Sequence, residues 1–497
     1  MMHYILEALK KLTGNGDSCV PYFRLYQYCV TRGLAANETQ VKEDVERLMA
    51  QGYIICEDGM VYLALVHRYE DVSAHLLAKL LTAPGLLQDR RLSKVSTVVD
   101  GCSLSNEQME AIDMALSHRL SLILGGAGTG KTTLIRAMIQ QSALPADQIL
   151  LSAPTGKAAQ RLAEKTGCTA VTIHSACRAG FNADFTNTVE RGDIRLLIVD
   201  EAGMISLELL TGLLLAAGNR CRIVMLGDPG QLGSVSCGNV LKDLEELGVP
   251  VLFLRKTHRQ KDLSSALYHN ITGFSAMGDS SSLTFDDSFQ LIPAEEDAIF
   301  SKTMSIALQH YRNHKNVILL SPVNNAGELS VDVLNLCIQQ QLHAPDDFRF
   351  HLDDETALMD GDPVIFTHNN KSMGYFNGDL GVFRLVQDDQ GLPKPQVILP
   401  DGRIIPITLF NQYQLSLAYA LTIHKVQGSE ADTVILPLSE HFLSMNRSML
   451  YTAISRARQK VILIGSQGVL DYIMDRQPHA RLSTLVPRTR TLLKKAG

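Results

Sequence analysis

Long apolar runs, paired cysteines and an excess of positive charge are all missing from this 497-residue chain. No stretch approaches the roughly 20 apolar residues that a bilayer-spanning helix needs, so a membrane partner is not expected. The opening residues, MMHYILEALKK, read as an amphipathic helix and lack the basic start and cleavage site of a secretory leader. The nine cysteines form no C-x-x-C pair and their number is odd. Reduced, buried thiols in a cytoplasmic protein are a simpler reading than a disulfide framework or a cysteine zinc site. The net charge of −6 argues against holding nucleic acid by bulk positive charge. It leaves open a local groove of amides, hydroxyls and a few cations. There is no short-period repeat and no low-complexity tract. What remains is an ordinary globular balance, 45% hydrophobic and 20% charged, at a length that suits three or four domains.

The pattern along the chain changes near residue 98. Before it, Val41, Val45, Leu48 and Met49 recur at helical spacing, and the Gln51-Gly52 turn leads into the β-like stretches YIIC and MVYLAL. Helix, helix, then hairpin is the order of a winged-helix-like domain over 1–98; a small packing domain without a DNA role is the alternative. From there strands alternate with helices. Candidate strands are Ser121–Leu124, Gln148–Ala153, Ile194–Val199, Arg222–Leu226 and Val251–Leu254, then Asn316–Leu320, Leu417–Thr422, Asp432–Pro437 and Lys460–Gly465. This predicts an α/β chain with two doubly wound parallel sheets in tandem and a cleft between them. The first spans 99–256, with a short insertion at about 178–193. The second spans 257–345 and 411–497. Between its parts, 346–410 carry Asn-Gly and Asp-Gly turns and read as a small inserted β-barrel. The basic stretch Arg481 to Lys495 reads as a flexible tail.

Gly125-Gly126-Ala127-Gly128-Thr129-Gly130-Lys131-Thr132 fits G-x-x-x-x-G-K-[ST] between an apolar strand and a helix beginning TTLIRAMI. Glycines let backbone N–H groups turn in around phosphate oxygens, and the helix start adds partial positive charge. The cradle is Gly126, Ala127, Gly128, Thr129, Gly130, Lys131, Thr132 and Thr133. Lys131 is expected on the β- and γ-phosphates and the Thr132 hydroxyl on Mg2+. The strand LLIV then ends in Asp200-Glu201, two carboxylates at a strand's C-terminal end. Asp200 would hold Mg2+ and Glu201 would polarise the attacking water. ATP and Mg2+ are the implied cofactors. Further on, Gln231 sits in a strand-end turn suited to sensing a γ-phosphate. Arg259 and Arg456 are candidates for cations that stabilise the transition state and tie hydrolysis to domain closure.

At this point the chain resembles a superfamily-one helicase of the RecD/TraA type. Leu104 to Gln108 is similar to the family's Q-motif, which implies that Gln108 reads adenine. Ala153 to Ala159 resembles motif Ia, Thr172-Ile173-His174 motif Ib, Asp200 to Met204 motif II and Gly227 to Val235 motif III. Thr257 to Gln260 resembles motif IV, Ala420 to Glu430 motif V and Tyr451 to Arg456 motif VI. The order is the family's own over about residues 104–460. The resemblance implies two RecA-like motor domains, an SH3-like inserted barrel, and ATP-driven 5′-to-3′ movement on single-stranded DNA and at single-strand/duplex junctions. It places Gly428 and Glu430 with the nucleotide. It makes Pro154, Thr155, Lys157, Thr172, His174, Thr422, His424, Lys425 and Ser429 strand contacts, whose hydroxyls, imidazoles and amines suit gripping phosphates without reading bases. Phe181 and Phe185 lie where relatives carry a strand-separating pin, as wedge or as packing residues. Two departures stand out. Gly233 replaces the family's usual proline, and Ser321 to Gly327 only partly matches a basic, Met-containing stretch. Fewer residues precede the Q-motif-like segment than in the longer relatives, which carry a helix-hairpin-helix region there. That implies weaker duplex engagement or a protein partner. A translocase, on DNA or RNA, that acts within a larger complex is the alternative function.

Overall fold

The computed structural model describes residues 3–82, 98–99, 101–178, 184–256, 264–274, 279–313, 316–344, 348–353, 356–370, 372–387 and 393–496. The chain divides into two compact units. One comprises Met1–Pro229, Gly233–Lys256 and His479–Gly497; the other comprises Gly230–Leu232 and Thr257–Pro478. Among the described residues no helix is long and apolar enough to cross a membrane.

The first unit opens with helices His3–Leu12, Tyr22–Thr31 and Glu38–Ala50, packed on an antiparallel sheet ordered Val20–Pro21, Met60–Leu63, Ile54–Glu57. The hairpin turns at Asp58-Gly59, both with positive φ (51° and 75°), the two-residue turn whose twist matches paired strands. The helix Ala64–Thr82 then leads toward a six-stranded sheet ordered Val251–Leu254, Leu120–Gly125, Arg222–Gly227, Leu196–Val199, Ile149–Ala153, Ala170–Thr172. Every neighbouring pair in it is parallel. Alternation along each strand sends residues to two apolar layers. Leu122, Leu124, Leu197 and Val199 enter one, and Ile123, Leu196 and Ile198 the other.

The second unit holds a parallel sheet ordered Phe289–Pro293, Ala457–Gly465, Ala431–Pro437, Val317–Ser321, Ala420–Thr422. A separate antiparallel sheet runs Ile404–Pro406, Pro393–Ile398, Leu380–Gln387, Pro363–Phe366, Leu415–Leu417.

Two expectations need correction, and one open alternative is resolved. Leu417–Thr422 is not one strand. Leu415–Leu417 pairs with Pro363–Phe366 in the antiparallel sheet, and only Ala420–Thr422 enters the parallel one. The inserted sheet therefore reaches beyond 410. Residues 479–497 do not belong with the second parallel sheet, nor is Arg481 to Lys495 a loose tail. Leu485–Ala496 is a helix lying against Ala64–Thr82 and Val240–Glu246 of the first unit, with Leu485 fully buried. Its apolar residues Leu485, Val486 and Leu492 supply the contact that a tail would lack. Phe185, one of the two candidate wedge residues, is buried at 4% exposure against Gly212 and Cys177; it is a packing residue. Phe181 lies outside the described residues.

Candidate functional site

Sheet order brings the chemistry of the first unit to one edge. The strand Leu120–Gly125 runs into the glycine-rich loop, its neighbour Arg222–Gly227 into Asp228, and the next strand, Leu196–Val199, into Asp200-Glu201. Parallel strands end on the same side, so loop and carboxylates share that edge.

The loop is shaped by missing side chains. Gly128 and Gly130 have φ of 79° and 82°, in the left-handed region. A Cβ on Gly125 would fall 2.8 Å from Thr129 Oγ1 and 3.0 Å from Leu254 Cβ. Thr129 Oγ1 donates to Gly126 O at 3.0 Å, bracing the turn. The helix Lys131–Ser142 starts directly after Gly130, which supplies no side-chain cap for its first amides. Lys131 Nζ donates to Gly125 O (2.5 Å) and Gly126 O (2.9 Å), so its ammonium lies over the loop. Inward amides, a helix start and one ammonium form a donor set that fits a polyphosphate. Ala127, Thr132 and Thr133 complete this stretch and are half-buried.

Glu201 N–H donates to Asp200 Oδ1 at 2.9 Å. Burial pushes the Asp200 carboxyl up, while the Lys131 charge and that N–H pull it down. Glu201 has φ +54°, left-handed backbone in a residue with a Cβ, a strain that recurs at functional sites. Thr132 and Asp200 are hard oxygen donors of the kind Mg2+ takes.

Gln108 is buried at 5% exposure and does a local job. Its Oε1 accepts from Ser105 N (3.0 Å) and its own N–H donates to Ser105 Oγ (3.2 Å), a capping box on the helix Asn106–Ser117. The signal was in the sequence: Ser105-x-x-Gln108 spells that box.

The candidate strand contacts fall into two sets. In the first unit, Pro154, Thr155 and Lys157 are half-buried after the strand Ile149–Ala153. Thr155 Oγ1 accepts from Ala158 N (3.2 Å) and Thr172 Oγ1 from Ser175 N (3.2 Å), so both are helix caps. His174 packs edge-on against Phe185, with centroids 5.3 Å apart, and burial lowers its pKa. In the second unit, Thr422 Oγ1 accepts from Lys425 N (3.3 Å), leaving His424 and Lys425 exposed at the turn, whereas Ser429 is buried at 2%. Gly428 has φ +76°, and Glu430 Oε2 pairs with Arg458 Nε at 3.0 Å, a partner the sequence did not point to.

The Gly230–Leu232 tripeptide groups with the second unit. Leu232 N–H donates to Thr452 Oγ1 (2.9 Å), and Gln427 Nε2 donates to Leu232 O (3.1 Å). This brings the peptide carrying Gln231 to the segments resembling motifs V and VI. Arg456 is buried at 4% exposure and donates to Thr452 O (3.0 Å) and Ser455 Oγ (2.9 Å). Arg259 lies outside the described residues.

Two family models match parts of the chain. Residues 103–273 match the model of an AAA domain and 417–464 that of a UvrD-like helicase C-terminal domain. The RecBCD enzyme subunit RecD of Mycolicibacterium smegmatis is 30% identical over 412 residues, covering 75% of this chain and 73% of that protein. This chain belongs to the RecD-like superfamily-one helicases. The ATP-dependent RecD2 DNA helicase of Deinococcus radiodurans is 31% identical over 460 residues, covering 91% of this chain; the chain spans 61% of that relative's length. A solved Bacteroides Pif1 bound to ssDNA aligns over 80% of this chain and 98% of its own at 19% identity and a TM-score of 0.49, too low to bear on arrangement. In this RecD-like chain the sequence reading missed the Arg458 partner of Glu430 and the capping role of Gln108.

Proposed function

We propose that this RecD-like chain is an ATP-dependent DNA helicase or translocase that moves 5′-to-3′ on single-stranded DNA and works at single-strand/duplex junctions. The observation that carries the reading is the uncapped, lysine-bearing phosphate loop on the same sheet edge as Asp200-Glu201. Lys131 and the loop amides hold the β- and γ-phosphates. Thr132 and Asp200 are the residues that would hold Mg2+, which when bound supplies charge against the phosphate oxygens. Glu201 orients and polarises the attacking water. Gln231 senses the γ-phosphate, and Arg259 and Arg456 supply cations to the transition state. Pro154, Thr155, Lys157, Thr172, His174, Thr422, His424 and Lys425 grip the strand, with Ser429 buried in the same segment as the last three, and a grip that differs between nucleotide states gives net movement.

We read the inserted antiparallel sheet as SH3-like and the N-terminal module as winged-helix-like. The helix Glu38–Ala50 exposes Glu38, Glu43 and Glu46 against Lys42 and Arg47, and Arg47 is paired to Glu43 (3.7 Å) and Asp44 (3.3 Å). A face of that charge repels phosphate, so duplex DNA is not assigned to it. This favours a second reading, in which a protein partner contributes to duplex engagement. Unwinding of substrates with a 5′ or a 3′ overhang, with and without ATP, tests the proposal. Opening from the 5′ overhang alone is expected; opening only from a 3′ overhang overturns the polarity, and movement without any opening favours the partner-dependent reading.

A further inference from the structure

The turn that carries His424 and Lys425 follows a very short strand. Ala420–Thr422 has three residues and lies at the edge of its parallel sheet, paired on one side only, with Val317–Ser321. So short a one-sided parallel ladder does little to fix where the strand ends. Ile423 and Val426, within the turn, are fully buried. Apolar burial keeps them in the core but is non-directional, so it does not set the position of the turn along the sheet.

Side chains from elsewhere in the same unit supply the direction. Asn335, on the helix Val331–Leu342, takes both backbone groups of Ala420. Its Oδ1 accepts from Ala420 N (2.7 Å), and its Nδ2 donates to Ala420 O (3.1 Å) and Leu417 O (3.3 Å). Tyr311 OH donates to Tyr419 O, and the two rings meet edge-on with centroids 5.1 Å apart. Tyr419 OH donates in turn to Asp362 Oδ1 (2.6 Å). Asp362 is the hub. It is fully buried and stands directly before Pro363–Phe366, where the chain enters the inserted antiparallel sheet. Tyr419 stands between Leu415–Leu417, where the chain leaves that sheet, and Ala420–Thr422. Besides Tyr419, Asp362 Oδ1 faces His343 Nε2 (2.8 Å), while Oδ2 accepts from Gln339 Nε2 (2.5 Å) and Met359 N (2.8 Å). Four donors match the roughly four acceptor sites of one carboxylate. A carboxylate filled in this way cannot shift without orphaning a buried donor.

We propose that Asp362 is a positioning residue for the grip on DNA: through Tyr419 it fixes the strand end from which the Thr422–Lys425 turn presents His424 and Lys425. The proposal rests on the reading of those two residues as contacts to single-stranded DNA. All the bonds involved lie within the second unit, and the phosphate loop at Lys131 belongs to the first. The effect therefore falls on the DNA concentration that half-saturates hydrolysis, not on KM for ATP.

The test uses the full chain and follows ATP hydrolysis as oligo-dT is titrated in. Tyr419→Phe removes one hydroxyl and keeps the ring. It is expected to raise the half-saturating oligo-dT concentration about five-fold, with KM for ATP and kcat at saturating DNA within about two-fold of the parent. Asp362→Asn sets an amide N–H against other donors and is expected to raise it about ten-fold; Tyr419→Phe stands in if that variant does not fold. A double-mutant cycle separates positioning from plain structural support. On a background carrying His424→Ala and Lys425→Ala, Tyr419→Phe is expected to add less than about 1.5-fold, because the side chains it would displace are gone. Parental half-saturation in either single variant, or a loss of undiminished size on that background, overturns the positioning role. The chain carrying only His424→Ala and Lys425→Ala tests the underlying reading. Parental half-saturation there overturns the grip at this turn, whereas a loss there with none in Tyr419→Phe removes only the part assigned to Asp362.

Discussion

Both units contain a parallel strand that runs through a loop into a helix, yet only one of these loops is built for an anion. In the second unit Val317–Ser321 passes through Pro322–Ser330 into the helix Val331–Leu342. Ser330 Oγ accepts from Val333 N at 3.5 Å, and Ser321 Oγ donates to Leu329 O at 2.7 Å, so the loop closes on itself and the helix caps its own start. In the first unit Gly130 offers no cap, the glycines clear the approach, and Lys131 projects over the gap. The lesson is that the fold supplies a helix start at the end of a strand, while the local residues decide whether its amides face a protein oxygen or a phosphate. The binding loop is made as much by the absent cap and absent Cβ atoms as by the lysine.

The largest expected effect comes from removing that distinction. Lys131→Ala should lower DNA-stimulated ATP hydrolysis by at least about 1000-fold, with oligonucleotide binding nearly unchanged. Parental hydrolysis in this variant would make the two loops equivalent and sink the whole scheme. A smaller effect tests whether the second unit, which lacks such a loop, contributes to chemistry. Arg456→Ala should cost about 100-fold in kcat with ATP binding retained. Because Arg456 also ties Thr452 and Ser455, circular dichroism and melting must show the variant folded; a folded variant with full kcat would confine the chemistry to the first unit.

The smallest effect contrasts buried carboxylates. In the second unit Asp362 accepts from Tyr419 OH (2.6 Å) and Met359 N (2.8 Å), with His343 Nε2 at 2.8 Å. In the first, Asp243 accepts from Ser483 Oγ (2.9 Å) and has Glu70 nearby; burial pushes its pKa from 3.8 up to about 7. Its folded value stands above its unfolded one. The folded chain therefore keeps a proton that the unfolded chain has released across that window, and its contribution to stability falls as pH rises through it. Asp243→Asn should stabilise the first unit by about 1 kcal/mol at pH 8 and by little at pH 4. Melting curves at the two pH values check this; an equal shift at both would mean that Asp243 does not titrate there.

The legible parts of this protein are local. Periodicity and turn residues indicated most strands of both parallel sheets, and the phosphate loop lies where strand, glycines and lysine imply. Short edge strands such as Phe289–Pro293 and Ala170–Thr172 were not read, because a few residues carry too little alternation. Leu417–Thr422 misled because a continuous apolar run does not say which sheet each half joins. Thr172 and Thr422 show the same limit at single residues: each caps a local turn, and that role is compatible with the strand contact the family implies.

The sequence by itself determined that this is a RecD-like chain with one phosphate loop, since that chemistry resides in contiguous residues whose spacing follows from backbone geometry. Only the tertiary structure decided where the last residues go. Arg481 to Lys495 look like a solvated basic tail, because charge and composition do not reveal that four acceptors around Ser234–Gly238, over 240 residues earlier, are arranged to receive one guanidinium. That match depends on two distant segments meeting, and no window of sequence contains both.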